Sequence, residues 1–236
     1  MRINKYIAAC GVCSRRGADE LVAQGKVCIN GRVAQSGDQV EETDHVSVDG
    51  TLISLPEDHV ILAYNKPVGV VCTANDPHAK RCVLQEVNYP ARLTYAGRLD
   101  KDSEGLLLLT DDGDLIDAMM RGRNDHEKEY IVTLDKPIRE EDLVIFRKGI
   151  YLTELRVKTK PCEVEKIEEN VIKMVLTQGL NRQIRRMCAE RGYKVRKLQR
   201  TRVMNVFLAS LKPGEWREID AKERMELYRL CGMKNK

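Results

Sequence analysis

The chain lacks any apolar run approaching the ~20 residues that a membrane-spanning helix requires. It also lacks a secretory signal, because the mixed run from Ile7 to Cys10 is too short for the apolar core of a signal peptide. The eight cysteines are scattered along the sequence. We therefore expect a cytoplasmic protein with reduced thiols and no membrane partner.

Motifs for nucleotides and metals are missing as well. There is no Gly-Lys-Ser/Thr phosphate loop and no Gly-x-Gly-x-x-Gly segment. Cys10-x-x-Cys13 has no second cysteine or histidine pair at finger spacing, and His126-Glu127 is followed by Tyr130 where a zinc protease needs histidine. No carboxylate pair stands out for glycoside hydrolysis. The sequence thus predicts neither a metal nor a small-molecule cofactor.

Clustered positive charge is present instead. The formal net charge is only +4, from 40 Lys and Arg against 36 Asp and Glu. Two basic segments on a nearly neutral chain favour a polyanion contacted at two places, and nucleic acid is the polyanion we expect; two solvated surfaces are the alternative. The segments comprise Arg2, Lys5, Arg15, Arg16, Lys26 and Arg32, and Arg182, Arg185, Arg186, Arg191, Lys194, Arg196, Lys197, Arg200 and Arg202.

The N-terminal residues 1–51 are expected to form a small α+β unit. The apolar spacing predicts a short helix and then a second one from Arg15 to Gln24, with Ser14 as its N-cap. Short strands separated by Asn-Gly and Asp-Gly turns follow. The proline-containing stretch 52–59 is interpreted as a linker to a larger unit at 60–236.

Apolar strands and amphipathic helices alternate through the larger unit. One helix is predicted to begin after Asn181 as its N-cap, and a basic strand follows it. Alternation along that strand places Lys194, Arg196, Arg200 and Arg202 on one face. The other predicted elements are strands at 60–64, 131–134, 156–159, 162–167 and 171–176, helices at 140–148 and 221–230, and a loop with a short helix at 73–87.

The segment around Asp100 places a charged residue shortly before residues that are expected to lie in the core. Asp100 lies among cations and glycines, a few residues before four leucines, Leu106 to Leu109, that are expected to be buried. A buried strand or short helix is a rigid base, so the loop that ends on it can hold one carboxylate in a cleft. Lys66, in a structural Lys-Pro-x-Gly turn, can face the same cleft. Tyr130 is either a half-buried aromatic residue or a positioned phenol.

Four of these motifs can be followed in order along the chain: Asn65-Lys66-Pro67-x-Gly69, Ala96 to Asp100 with Gly105 to Thr110, Lys128-Glu129-Tyr130, and Gly179 to Met187. The same order is found in the pseudouridine synthases, and the chain resembles their RsuA/RluF-type branch. The N-terminal helix pair and the Val-Cys-Ile-Asn-Gly turn resemble the S4 RNA-binding domain. Residues 124–130 and 200–206 are most similar to the RluF subgroup, which acts on large-subunit rRNA.

The resemblance implies an α+β fold in which an S4-like domain precedes a catalytic domain with a mostly antiparallel mixed sheet, flanking helices and a central cleft. It implies isomerisation of uridine to pseudouridine in ribosomal RNA, with 23S rRNA favoured and no cofactor. Asp100 would attack or deprotonate the ribose, Arg185 would pair with Asp100 and keep it ionised, and Tyr130 would stack on the base and assist loss of the C5 proton. The RNA-binding residues implied are Lys66, Arg98, Arg182, Arg186, Arg200, Arg202, Arg2, Lys5, Arg15, Arg16 and Arg32.

Several alternatives stay open at this point. The target uridine could lie in 16S rRNA or tRNA instead of 23S rRNA. The chain could be an RNA-binding assembly factor that keeps the fold without the reaction, or a nucleoside hydrolase that releases free uracil. We expect a monomer.

Overall fold

A computed structural model of the chain describes residues 1–73, 81–120 and 125–233. Its N-terminal part packs two helices on a four-stranded sheet with the strand order β2-β1-β3-β4. The predicted N-cap of the second helix is confirmed, because the Ser14 hydroxyl accepts a hydrogen bond from the Gly17 amide at 3.0 Å. The elements are α1 (Ile3–Ala9), α2 (Arg15–Ala23), β1 (Val27–Ile29), β2 (Arg32–Val33), β3 (Val46–Val48) and β4 (Thr51–Ile53).

Strand β4 extends into the stretch 52–59 that was predicted to be a linker. Leu52 and Ile53 pair with Ser47 and Val46 of β3, so these two residues belong to the N-terminal sheet. Backbone pairing of an Asp-Gly hairpin explains the difference, since both arms of such a hairpin are held in register by the turn.

The larger part of the chain is built on one nine-stranded sheet with the main order β11-β12-β8-β13-β7-β5-β15. The elements are β5 (Ile61–Lys66), α3 (Val83–Val87), β6 (Thr94–Tyr95), β7 (Glu104–Thr110), α4 (Gly113–Met120), β8 (Lys128–Leu134), α5 (Glu140–Lys148), β9 (Tyr151–Leu152), β10 (Val157–Lys158), β11 (Glu163–Glu168), β12 (Val171–Leu176), α6 (Gln183–Glu190), β13 (Val195–Val203), β14 (Val206–Phe207), β15 (Trp216–Glu218) and α7 (Ala221–Leu230).

The sheet is mixed and mostly antiparallel. Strands β13 and β7 pair in parallel, and the other pairings along the main order are antiparallel. Helices α4 and α7 contribute to a core on one face, and α5 and α6 to a second core beside β8 and β12. The predicted α+β class is confirmed. Within the described ranges, none of the helices has the length and apolar character needed to cross a bilayer.

The four leucines lie in β7, between β13 and β5. Leu106 and Leu108 pack with the core that contains α4 and α7, whereas Leu107 and Leu109 pack with a separate core on the opposite face that includes α3. Successive side chains of a strand point to opposite faces, so an unbroken apolar run marks a strand covered on both sides. This burial is the rigid base that the Asp100 loop requires.

Two local predictions are wrong. Helix α6 has Arg182, not Asn181, at its N-cap, in the left-handed conformation with a φ of 51°. Strand β13 does not alternate regularly, because its pairing with β8 shifts register between Val195 and Lys197 and again between Arg200 and Arg202. Bulges of this kind redirect side chains, so the predicted basic face is broken. Residues 74–80 of the loop predicted at 73–87 lie outside the described residues, and α3 is the short helix predicted there.

Candidate active site

A cleft of about 750 Å³ opens beside β8 and β13. Its wall is formed by the loop before β7, the starts of β8 and α6, and the middle of β13. The structure brings together in this cleft five residues predicted from sequence: Arg98, Asp100, Tyr130, Arg182 and Arg200. Its size matches pockets that hold small ligands, which are typically about 300–1,000 Å³. The cleft is therefore large enough for one small ligand.

Asp100 is held by the backbone on both sides of it. Leu99 is buried, and the Ser103 amide donates to the Asp100 carbonyl at 3.1 Å, which closes a tight turn just before β7. The Gly69 amide donates to the Lys101 carbonyl at 2.7 Å and so joins this turn to the Lys-Pro-x-Gly turn. The Asp100 side chain itself remains 34% exposed. The loop therefore fixes its direction while leaving the carboxylate accessible from the cleft.

Arg182 is the arginine that reaches Asp100. Its Nη1 lies 3.5 Å from Oδ2 of Asp100, and its guanidinium also donates two hydrogen bonds to the Asp102 carboxylate at 3.0 and 2.8 Å. The hydrogen bonds from Arg182 hold the pKa of Asp102 below its usual value. A left-handed backbone is costly for a residue other than glycine, and such strain concentrates at functional sites. The position of Arg182 in the cleft therefore requires a strained backbone conformation.

Arg185 does not make the predicted ion pair with Asp100. Its Nη2 donates to the Asp102 carbonyl at 2.8 Å, its Nη1 donates to the Val195 carbonyl at 3.1 Å, and its Nε lies 3.4 Å from the Asp102 carboxylate. A mostly buried guanidinium needs several acceptors, and these groups supply them. The pairing is corrected to Arg182 with Asp100 and Arg185 with Asp102. A role for Arg185 in the reaction stays a prediction.

Tyr130 is the third residue of β8. It is partly buried against two core clusters and also lines the cleft. In the sheet it pairs with Arg200 of β13. Directly opposed residues of antiparallel strands share a face, so the ring and the Arg200 side chain point to the same side. The ring therefore lines the cleft beside Arg200, and both its stacking on a base and its acid-base role stay predictions.

Two residues predicted to bind RNA are buried. Lys66 is fully buried, and its ammonium donates to the carbonyls of Pro67 and Val70 at 2.9 and 2.8 Å. It supports the turn that carries Gly69, and burial lowers its pKa. Arg200 is 2% exposed, and its Nε donates to the Leu106 carbonyl at 2.7 Å. Neither is a surface cation, so phosphate contact by Lys66 is excluded in this conformation and Arg200 belongs to the interior of the cleft.

Two further predicted RNA-binding residues have acidic partners. Arg186 is paired with Glu154 and donates to Asn181, while Arg202 donates to Glu127 at 3.0 Å and lies 3.8 Å from Glu129. Neither lines the cleft in the part of the chain that the structure describes. Their partners reduce the positive potential that the sequence assigned to this segment.

The N-terminal cations divide into two groups. Arg2, Lys5 and Arg15 line a groove of about 390 Å³. Lys5 and Arg15 also lie 2.5 and 3.7 Å from carboxylates of α4, on Asp114 and Asp117. Arg16 is exposed, and Arg32 is bound to Asp38 at 2.9 Å. The structure therefore brings together three of the five N-terminal residues predicted to bind RNA.

Two cleft features were missed at the sequence level. Asp102, beside the cleft, binds both Arg182 and Arg185, although no sequence motif singled it out. Lys128 lines the interior of the cleft, although it entered only as part of the Lys-Glu-Tyr motif. The sequence did contain a signal for Asp102. It is a second carboxylate two residues after Asp100, and Arg182 and Arg185, three residues apart in the basic segment, are two arginines that could pair with it.

The family model of RNA pseudouridylate synthases matches residues 60–190, and the S4 domain model matches residues 1–46. The chain belongs to the pseudouridine synthase family. It is 48% identical to the dual-specificity RNA pseudouridine synthase RluF of Escherichia coli K12, over 98% of this chain and 79% of the relative. It is 35% identical to the ribosomal large subunit pseudouridine synthase B of Bacillus subtilis, over 98% and 96%.

A crystal structure of a pseudouridylate synthase superimposes on 98% of this chain and 99% of its own, with a TM-score of 0.70 and 32% identity. Family membership identifies the chain as an isomerase, and the N-terminal unit as an S4 domain. The cleft that holds Asp100, Tyr130 and Arg182 lies largely in the segment matched by the pseudouridine synthase family. It is therefore the candidate active site of the family's reaction.

Proposed function

We propose that the protein converts uridine to pseudouridine at a defined position of ribosomal RNA, with Asp100 as the reacting carboxylate. The observation that supports this most directly is the placement of Asp100, fixed by its turn and by β7 but open to a cleft beside Tyr130. An accessible carboxylate on a rigid base has the geometry that a reaction at a ribose carbon requires.

The chemistry follows from the residues in the cleft. The target uridine leaves its stack, at a cost of a few kcal/mol, and enters the cleft. Asp100 attacks the ribose or removes a proton from it, and the bond between N1 and C1′ breaks. The base then turns and rejoins the sugar through C5, as Asp100 leaves the ribose or returns its proton. The C5 hydrogen leaves as a proton, with Tyr130 beside the base as the candidate acid-base group. No bond order is gained or lost overall, so no cofactor is required.

Large-subunit rRNA is the favoured substrate. The similarity to RluF, and to an enzyme named for the large ribosomal subunit, supports this choice. The N-terminal groove with Arg2, Lys5 and Arg15 and the cleft rim with Arg98 and Arg182 supply cations for phosphates outside the reacting nucleotide. We propose that the enzyme acts as a monomer in the cytoplasm.

The test is an isomerisation assay on purified protein. Ribosomal RNA from cells that lack the enzyme is labelled with tritium at uracil C5 and incubated with the full chain. We expect release of tritium to water and appearance of pseudouridine at one or a few large-subunit positions. A small-subunit or tRNA position alone would contradict the proposed substrate. Free uracil would indicate a hydrolase, and tight RNA binding without product an assembly factor.

A further inference from the structure

The charges that line the cleft are unbalanced. The described lining includes five cations, Arg98, Lys128, Lys160, Arg182 and Arg200, and one carboxylate, Asp100. The cations lie at two depths. Arg98, Lys160 and Arg182 are exposed at the rim, where Asp125 pairs with Lys160 and Asp102 with Arg182. Arg200 is buried and Lys128 is partly buried. Phosphates of an RNA backbone stay at the rim, so the two interior cations need a different explanation.

Arg200 has a donor without a partner. Its Nε donates to the Leu106 carbonyl, but its Nη2 is buried and has no hydrogen-bond partner among the described residues. An unsatisfied buried donor costs ~1–3 kcal/mol, and more when it is charged. Native proteins avoid this cost unless a ligand or water takes the hydrogen bond. The Nη2 group therefore points to something that occupies the cleft during function.

The backbone around Arg200 is built to place it there. Gly105 of β7 pairs with Arg200 of β13 in the parallel register. A Cβ at Gly105 would lie 2.3 Å from the Arg200 carbonyl oxygen, and the φ of Gly105 is 105°. Only glycine permits this approach. The close packing holds the Arg200 side chain against the cleft with little freedom.

Lys128 adds a second interior cation. Its ammonium donates to the His126 carbonyl at 3.2 Å, and the described residues include no acidic partner for Lys128 or Arg200. Burial lowers the pKa of Lys128, and the positive charge of Arg200 lowers it further. Two cations held close together with no carboxylate between them form a site that fits negative charge or strong acceptors.

We propose that Arg200 and Lys128 form a subsite for the uracil base, in which Arg200 Nη2 donates to a carbonyl oxygen and both cations stabilise the base as it leaves. This rests on the proposed function. When the bond between N1 and C1′ breaks, its electron pair goes to the base, which becomes a uracil anion whether Asp100 has attacked C1′ or removed a ribose proton. The anion spreads its charge over the two carbonyl oxygens. When C5 joins C1′, the electrons return to the new bond, and Asp100 either leaves C1′ with its own bonding pair or returns the ribose proton. C5 then loses its proton and N1 gains one.

Position favours the base over a phosphate as the ligand. The base is the part of an extruded nucleotide that extends furthest from the backbone, and Arg200 opposes Tyr130, the ring placed for stacking. Donors fixed before the reaction are worth most where charge develops in an enclosed site. The interior cations then act on the bond-breaking step, and the rim cations on RNA binding.

The test compares leaving groups. Single-turnover cleavage of the N1–C1′ bond is measured with saturating enzyme on transcripts carrying uridine or 5-fluorouridine at the target, for Lys128→Met and for Arg200→Lys. Fluorine stabilises the uracil anion by itself, so it reduces the need for the cations. We expect about a 10²-fold loss on uridine and less than about 10-fold on 5-fluorouridine, with RNA affinity within about 3-fold of wild type.

The matched control is Lys197→Met, which removes an exposed cation of the same strand that pairs with Glu104 outside the cleft. It should leave both rates unchanged, and thermal unfolding confirms that each variant folds. Equal losses on the two substrates would overturn the inference. So would a loss confined to RNA affinity with a smaller salt dependence, which marks a phosphate contact. An inactive wild-type chain would instead overturn the proposed function and this inference with it.

Discussion

Two carboxylate clusters in this molecule contain the same residue types but differ in how many hydrogen bonds the protein donates to the carboxylate. Asp142, in α5, is fully buried and accepts hydrogen bonds from Arg139, Arg191 and Tyr193 at 2.8, 2.5 and 2.7 Å. Asp100 is 34% exposed, and Arg182 approaches it only to 3.5 Å. The first carboxylate has its acceptor capacity filled by the protein, and the second has most of it free.

The pKa of Asp142 shows how the closed cluster is balanced. Burial raises that pKa, but the hydrogen bonds from Tyr193, Arg139 and Arg191 outweigh burial and hold it below the usual value. Asp102, which binds both Arg182 and Arg185, takes up much of the guanidinium capacity near Asp100. A carboxylate becomes available for chemistry when a neighbouring carboxylate satisfies the cations around it.

The largest expected effect separates the two clusters by activity. Asp100→Asn should lower pseudouridine formation by about 10⁴-fold or more, because the amide can neither attack the ribose nor accept its proton. RNA binding and the thermal midpoint should change little, since the side chain is exposed and weakly paired. Tritium release and a filter-binding titration measure the two quantities. Retained turnover would remove Asp100 from the mechanism.

Asp142→Asn should have the reverse effect: it should lower stability and leave activity nearly unchanged. It leaves two arginines and a tyrosine around a neutral amide, so we expect a loss of about 3 kcal/mol in the free energy of unfolding, measured with urea. Activity per folded molecule should stay near wild type, because α5 does not line the cleft in the described structure. If Asp142→Asn reduced turnover without reducing stability, the division between the clusters would be wrong.

A good part of this architecture could be predicted from local patterns. The helices at 140–148 and 221–230 have the predicted bounds, and Asp220 and Glu223 form a capping box at the start of α7. The four leucines in β7 were predicted to be buried, although a strand and a helix were both open. Caps and apolar periodicity act within a few residues, so one sequence is enough to reveal them.

The pairing of the arginines could not be predicted in the same way. It depends on the left-handed backbone of Arg182 and on how α6 packs beside the start of β13, where Arg185 finds the Val195 carbonyl. The burial of Arg200 depends on two bulges and on the contact with Gly105. These are tertiary effects. That Asp100 and Tyr130 share a cleft followed from the order of the family's motifs, not from any local rule.

The pH dependence of stability provides a further test of the low pKa of Asp142. A carboxyl whose pKa is lower in the folded state stabilises the fold fully above its unfolded pKa of ~3.9, and this stabilisation is lost as the pH falls through the folded pKa. The stability gap between wild type and Asp142→Asn should therefore narrow by on the order of 1 kcal/mol as the pH falls from 6 to below 3. Urea titrations across that range measure it, and a constant gap would contradict the assigned shift.

The smallest effect on turnover is expected at Asp102, which is intermediate between the clusters. Asp102→Asn keeps the shape but removes the charge that holds Arg182 and Arg185. We expect about a 10-fold loss of turnover, or ~1.4 kcal/mol in the barrier, because Arg182 is then free to pair with Asp100. RNA affinity should rise slightly as a cation is released. Unchanged turnover together with unchanged affinity would show that Asp102 does not position the arginines.

The central position of strand β7 determines which part of the molecule is expected to unfold last. Its amides pair with β5 and β13 in the interior of the sheet, and its side chains are buried on both faces. Amides in such a strand exchange with solvent only when the whole domain unfolds, so they should be among the last to take up deuterium. Asp100 is separated from this strand by a three-residue turn. The carboxylate proposed to react is therefore attached to the part of the protein expected to unfold last.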